Sequence, residues 1–240
     1  KKEPWKEPLP EGLYIKPYLQ NVTQHSIVVM WETKTPVVGH VDYGLNRSFG
    51  NTASETTPAT IHEIEIADLD PGTTYHYRVR YGDATLEAST FKTAPPDGVR
   101  NCRIIVYGDA RSDPKTHRKN VEQMLKLNPD LILHTGDIVA SGNTYEQWQP
   151  QHFWPVQIIS DKVPMFPTLG NHEQNSTHHF NYMSLPGNEV YYSFDYAGVH
   201  IICLDSNAGS TPYQAGTPQY EWLIKDLEAN QNAEWTFVYF

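Results

Sequence analysis

Leu131-Ile132-Leu133-His134-Thr135-Gly136-Asp137 is the stretch that decides how this chain is read. A short apolar run that stops at a glycine and then presents a carboxylate predicts a buried strand whose end delivers an acidic side chain into a crevice. The same design occurs on both sides of it. Upstream stands Ile104-Ile105-Val106-Tyr107-Gly108-Asp109, and downstream Pro164-Met165-Phe166-Pro167-Thr168-Leu169-Gly170-Asn171-His172-Glu173. Strands that each end in glycine plus an oxygen donor predict one shared site.

Around these runs, from residue 101 to 240, the pattern alternates strand and helix, as expected for a parallel sheet with crossover helices. Pro114 suits a first helical position with Ser112 or Asp113 capping, and Val121, Met124, Leu125 and Leu127 supply an apolar stripe. Trp148, Phe153, Trp154 and Val156 form a less regular one. Two alternating runs, 190–196 and 199–205, flank Ala197-Gly198 and predict a hairpin opening a second sheet. Tyr220, Leu223, Ile224 and Leu227 mark a helix, and Trp235-Thr236-Phe237-Val238-Tyr239-Phe240 a final strand. A sheet strand with no loop after it is an unusual end for a domain, so the chain is expected to be the N-terminal part of a longer protein.

Upstream the character changes. Residues 1–10 are charged and proline-rich and read as an arm. From 11 to 94, Ser26-Ile27-Val28-Val29-Met30-Trp31, Gly39-His40-Val41-Asp42-Tyr43-Gly44, Ile61-His62-Glu63-Ile64-Glu65-Ile66 and Thr74-Tyr75-His76-Tyr77-Arg78-Val79-Arg80 are short alternating strands between turn signals, which predicts an all-β sandwich. His40, His62 and His76 are expected on its surface. Thr93-Ala94-Pro95-Pro96-Asp97-Gly98 makes 95–100 a linker.

With 28 acidic against 18 basic residues the net charge is −10, which argues against a nucleic-acid backbone or an anionic membrane as the main partner. Phosphate-ester substrates stay open, because bound cations carry charge that composition does not count. No apolar run approaches the length of a membrane span. Cys102 and Cys203 lie in different apolar runs and are two free thiols or a disulfide. The start, Lys1-Lys2-Glu3, fits a processed export product or a trimmed chain; the expectation is a secreted or periplasmic protein.

Gly108-Asp109, Gly136-Asp137 and Gly170-Asn171-His172-Glu173, in this order, resemble the first three signatures of the calcineurin-like metallophosphoesterases. Leu69-Asp70-Pro71-Gly72-Thr73-Thr74-Tyr75-His76-Tyr77-Arg78-Val79 looks like the tyrosine-corner segment of fibronectin type III domains, and Trp31 resembles their core tryptophan. A sandwich in front of a metallophosphoesterase domain makes residues 11–240 similar to the purple acid phosphatases and their bacterial relatives. The resemblance implies an α/β/β/α domain, C-terminally incomplete here, and two divalent or trivalent metal ions (Fe, Zn, Mn or similar). It implies that Asp109 binds the first metal, Asp137 bridges both and Asn171 binds the second. His172 would protonate the leaving oxygen, with Glu173 orienting it, while a metal-activated water attacks phosphorus in line.

The sequence departs from that pattern in three ways. Arg111 stands where most of the superfamily has histidine, and either clamps the substrate phosphate or pairs with an acidic neighbour. Ala140 stands where purple acid phosphatases have tyrosine, so tyrosinate-coloured iron is not expected. His117, one turn into the next helix, is a substitute ligand or a helix-surface residue. The family's remaining histidine ligands lie downstream of a strand like 235–240, so this chain is expected to bind metal weakly and to be inactive alone. His134 is expected as a hydrogen-bonded interior residue, His178 and His179 as solvent-facing, and Asp205 as a site extension or a turn cap. Two functions follow: two-metal phosphate mono- or diester hydrolysis in the parent protein, or a binding or scaffold protein on a degenerate phosphatase fold.

Overall fold

The computed structural model of the chain describes residues 8–207, 209 and 212–240. Most of the expected 1–10 arm lies outside the described residues. The N-terminal half contains β1 (Leu13–Gln20), β2 (Ile27–Val37), β3 (Gly39–Gly44), β4 (Asn51–Ser54), β5 (Ala59–Ile66), β6 (Thr74–Tyr81), β7 (Ala84–Thr85) and β8 (Ser89–Lys92). β1-β2-β5 form one antiparallel sheet, while β4-β3-β6-β7 form the other, with β8 also on β6. Alternation buries Tyr75, Tyr77, Val79 and Tyr81 on β6 against Trp31 and Val29 of β2. At the start of β6 the Asp70 N–H donates to the Tyr75 hydroxyl at 3.0 Å.

The surface expectation for His62 is corrected. It is fully buried, stacks on Trp31 at 4.5 Å, and makes 2.8 Å hydrogen bonds with Thr33 Oγ1 and Glu55 Oε2. Its phase in β5 is that of the buried Ile64 and Ile66, and a Cβ on Gly39 would lie 2.8 Å from its ring, so the imidazole fills room that the glycine leaves.

The C-terminal half runs β9 (Ile104–Tyr107), α1 (Pro114–Lys126), β10 (Leu131–His134), α2 (Tyr145–Trp148), a π-helical turn (Gln149–Phe153), α3 (Trp154–Val156), β11 (Met165–Pro167), α4 (Thr177–Tyr182), β12 (Tyr192–Tyr196), β13 (Val199–Cys203), α5 (Pro218–Ala229) and β14 (Trp235–Tyr239). β9, β10 and β11 form a parallel sheet with β10 central, every residue of which is buried. A second sheet has the order β12-β13-β14, its hairpin closed by Ala197 and Gly198 at φ 52° and 77°, the left-handed pair that a tight turn requires. The sheets meet where Phe166 stacks on Phe194 at 4.0 Å and the Tyr192 hydroxyl donates to Pro167 O at 2.7 Å. This is the β-sandwich followed by an α/β domain that the sequence predicts.

Asp113, not Ser112, caps α1, accepting the Thr116 N–H at 3.1 Å. The helix turns His117 and Val121 inward and leaves Leu125 and Leu127 exposed, so the apolar stripe is narrower than expected. Cys102 and Cys203 are free thiols, so no disulfide joins them.

The two halves share one core. Tyr14 stacks on Tyr145 at 5.4 Å, the Tyr18 hydroxyl donates to Tyr182 O at 2.9 Å, and the Tyr77 hydroxyl donates to Asp161 O at 2.8 Å. Glu32 of β2 accepts the hydroxyls of Tyr145 and Tyr182, each at 2.8 Å. Burial pushes the Glu32 carboxyl up, and these two hydrogen bonds pull against that shift.

Candidate active site

The parallel strands deliver their C-terminal ends to one edge. The Thr135 N–H donates to Tyr107 O at 2.9 Å, the Thr168 N–H to His134 O at 2.8 Å, and the Asp109 N–H to Gly136 O at 3.0 Å. Asp109 and Asp137 both have left-handed backbones, φ 52° and 57°, which aspartate tolerates better than most residues but at a cost in strain. The loops touch backbone to backbone. A Cβ on Gly136 would lie 2.6 Å from Gly170 N, and one on Gly170 would lie 2.2 Å from Asp137 N.

Glu173 pins these loops. It is fully buried, and Oε2 accepts the N–H groups of Asp137 and Gly170 at 2.8 Å while Oε1 accepts those of Ile138 at 2.8 Å and Val139 at 3.2 Å. Burial raises its pKa, and the amides oppose the shift. The expectation that Glu173 orients His172 is therefore corrected: its oxygens are taken by backbone. The His172 ring is held instead by Ala140 O, 2.7 Å from Nδ1, which makes Nδ1 the protonated nitrogen and leaves Nε2 without a partner among the described residues. The His172 N–H donates to Asp137 Oδ1 at 3.1 Å, and the Gly142 N–H to His172 O at 2.8 Å.

Arg111 resolves one open alternative. One terminal nitrogen of its guanidinium contacts both Asp109 Oδ1 and Asp137 Oδ2, so it is ion-paired with acidic neighbours on two loops. Asn171 follows Gly170, whose backbone abuts that of Asp137, and its side chain is exposed. Asp109, Asp137, His172 and Arg111 are thus linked at one strand edge, with Asn171 on the adjoining loop.

His117 is not. It is buried, with Nδ1 3.1 Å from Gln151 O and Nε2 3.1 Å from the Tyr107 hydroxyl. Both nitrogens are engaged in the core, which removes the expected reach-back to the carboxylates. His134 is interior as expected but not hydrogen-bonded: neither ring nitrogen has a partner among the described residues, and it packs edge-on to Tyr107 at 4.5 Å. His179 is fully buried rather than solvent-facing, because Ser176 caps α4 and turns His179 and Tyr182 inward. With His152 of the π-helical turn, also buried, these side chains form a histidine group behind the site that composition alone gave no reason to place inside. Asp205 is buried, and its Oδ1 accepts Asn207 Nδ2 at 2.7 Å while the same amide donates to Leu169 O at 3.0 Å. It thus braces the strand end before Gly170.

The carboxylates fit a cation. Two hard oxygen donors already converge on a cationic nitrogen, and an exposed amide oxygen lies next in the third motif. Among the described residues no group of three or more His, Cys, Asp or Glu is arranged to hold a metal, so the donor set here is a partial one.

Comparison with known proteins gives two family matches. Residues 12–93 match "Purple acid Phosphatase, N-terminal domain", and residues 102–240 match "Calcineurin-like phosphoesterase". Purple acid phosphatase 21 of Arabidopsis thaliana is 30% identical over 217 residues, covering 80% of this chain and 47% of that protein. Purple acid phosphatase 15 of the same plant is 29% identical over 212 residues, covering 71% and 39%. The structure of a purple acid phosphatase from yellow lupin (Lupinus luteus) seeds superposes with a TM-score of 0.74 at 18% identity, over 92% of this chain and 50% of that one. The chain therefore spans about half the length of the relatives it matches, or less.

Proposed function

Because the chain belongs to the calcineurin-like phosphoesterase family, we propose that Asp109, Asp137, Asn171 and His172 are its contribution to a metal-dependent phosphohydrolase site for phosphate mono- or diesters. The observation that carries this reading is the convergence of Asp109 and Asp137, from two strand ends, on one cationic nitrogen. Two divalent or trivalent ions held there would supply Lewis-acid neutralisation of the phosphate and activation of water. Asp109 and Asp137, whose Oδ1 and Oδ2 now meet Arg111, would hold the ions, and Asn171 would add a neutral oxygen. His172, anchored through Nδ1, presents Nε2 to a leaving-group oxygen and, when protonated, donates to it. Glu173 fixes the backbone from which Asp137 and His172 both project.

With so few donors gathered, this chain alone is proposed to bind metal weakly and not to turn over substrate. The test is metal analysis of the whole natural protein, with turnover of a chromogenic phosphomonoester and a phosphodiester. Bound metal with turnover abolished by Asp137→Asn is expected. A second reading, a binding protein on a degenerate phosphatase fold, is favoured by Arg111 occupying the carboxylate pair and Ala140 replacing a tyrosine. Absence of both metal and turnover would select it.

A further inference from the structure

We propose that Arg111 is a resident cation that competes with divalent metal for the Asp109–Asp137 carboxylate pair, so that metal entry and guanidinium release are a single exchange. The inference rests on the reading of this pair as a metal site and adds to it what regulates occupancy. Arg111 lies close behind Asp109 in sequence, yet its terminal nitrogen also reaches Asp137 on the next loop. A nitrogen shared by one oxygen from each carboxylate occupies the point where an ion contacting both must lie. Guanidinium and metal cannot occupy it together, on grounds of volume and of like charge.

Asp137 is held facing the exchange point, while the more exposed Asp109 side chain swings from a fixed backbone. Asp137 Oδ1 is held by the His172 N–H at 3.1 Å, which leaves Oδ2 as the oxygen facing the cation. The Asp137 backbone is fixed by Glu173, and the Asp109 backbone by its hydrogen bond to Gly136 O. The Asp137 side chain is 17% exposed and that of Arg111 25%, so this half of the contact is less screened by water than a surface pair, whereas Asp109 is 75% exposed and its half is screened. Two carboxylates this close repel each other unless a cation lies between them. Arg111 supplies one from within the chain, and a metal must displace it to bind. A histidine at position 111 would add a ligand; the arginine adds a competitor.

The exchange is read by titrating Mn²⁺ into the EDTA-stripped whole natural protein and following the free-ion paramagnetic resonance signal and the melting temperature. Arg111→Ala and Arg111→Gln, which both remove the charge while the second keeps a polar side chain of intermediate length, are expected to bind Mn²⁺ more tightly than wild type, by about tenfold within the usual range of site coupling. Both should also melt lower than wild type without metal and gain more on adding it. Unchanged or weaker Mn²⁺ binding in both variants, with Asp137→Asn still weakening it, would overturn the competition and leave the metal site standing. Binding that Asp137→Asn does not alter, or no binding in any variant, would overturn the metal site and the competition with it.

Discussion

Glu173 Oε2 lies 2.8 Å from the Asp137 backbone N–H, so a buried carboxylate in the third motif holds the acidic residue of the second in place. Through its other contacts the same side chain ties Gly170 to Ile138 and Val139. The two loops behave as one piece.

Glu173→Ala takes the acceptor from four backbone donors, those of Ile138 and Val139 in buried bonds and those of Asp137 and Gly170 in part-buried ones. Buried unsatisfied donors cost on the order of 1–3 kcal/mol each before relaxation, so a loss of about 3–5 kcal/mol is expected from urea unfolding. Glu173→Gln keeps one acceptor oxygen and should lose less. Equal stability of wild type and alanine variant would contradict the staple.

The Glu32 pair of hydrogen bonds makes the halves melt together. Tyr145→Phe and Tyr182→Phe should each cost roughly 1–2 kcal/mol, and less when Glu32 is already replaced by Gln, the signature of coupled partners. A double-mutant cycle by chemical denaturation measures it. Calorimetry of wild type should show one transition, and strictly additive losses would mean the contact carries no coupling.

The buried histidines make the fold acid-labile. Burial lowers His134 and His179 to about 3, with the His117 charge a further cause for His134. An unfolded histidine titrates near about 6.5, so the unfolded state binds the extra protons first. Stability is full above that value and falls as pH drops from about 6.5 toward 3, by roughly 1.4 kcal/mol per pH unit for each histidine. Urea midpoints at pH 7, 5.5 and 4.5 should decline, with a shallower slope in His179→Leu. A flat profile would remove the cause.

The three strand-end motifs were legible because each is local: an apolar run, a glycine that allows close approach, then an oxygen donor. Arg111 joins Asp109 to Asp137, and the His172 N–H reaches Asp137. What the sequence could not show depends on partners far away in the chain. His62, His134 and His179 are polar letters whose burial is decided by Gly39 and Trp31, by Tyr107, and by the inward turn of α4. Neither alternative for His117, substitute ligand or helix-surface residue, anticipates a buried ring, because nothing nearby in sequence announces Gln151 O, supplied by the π-helical turn. The partners of Glu173 are backbone amides, which carry no sequence signal. Sequence leaves Arg111 open between phosphate and carboxylate, because its reach to Asp137 spans two loops.

The grip on His172 comes from the carbonyl of residue 140, not from that residue's side chain. The peptide oxygen that orients the ring is present whatever side chain stands there. The side chain at 140 is therefore free to change without loosening the imidazole, since the backbone alone does the holding.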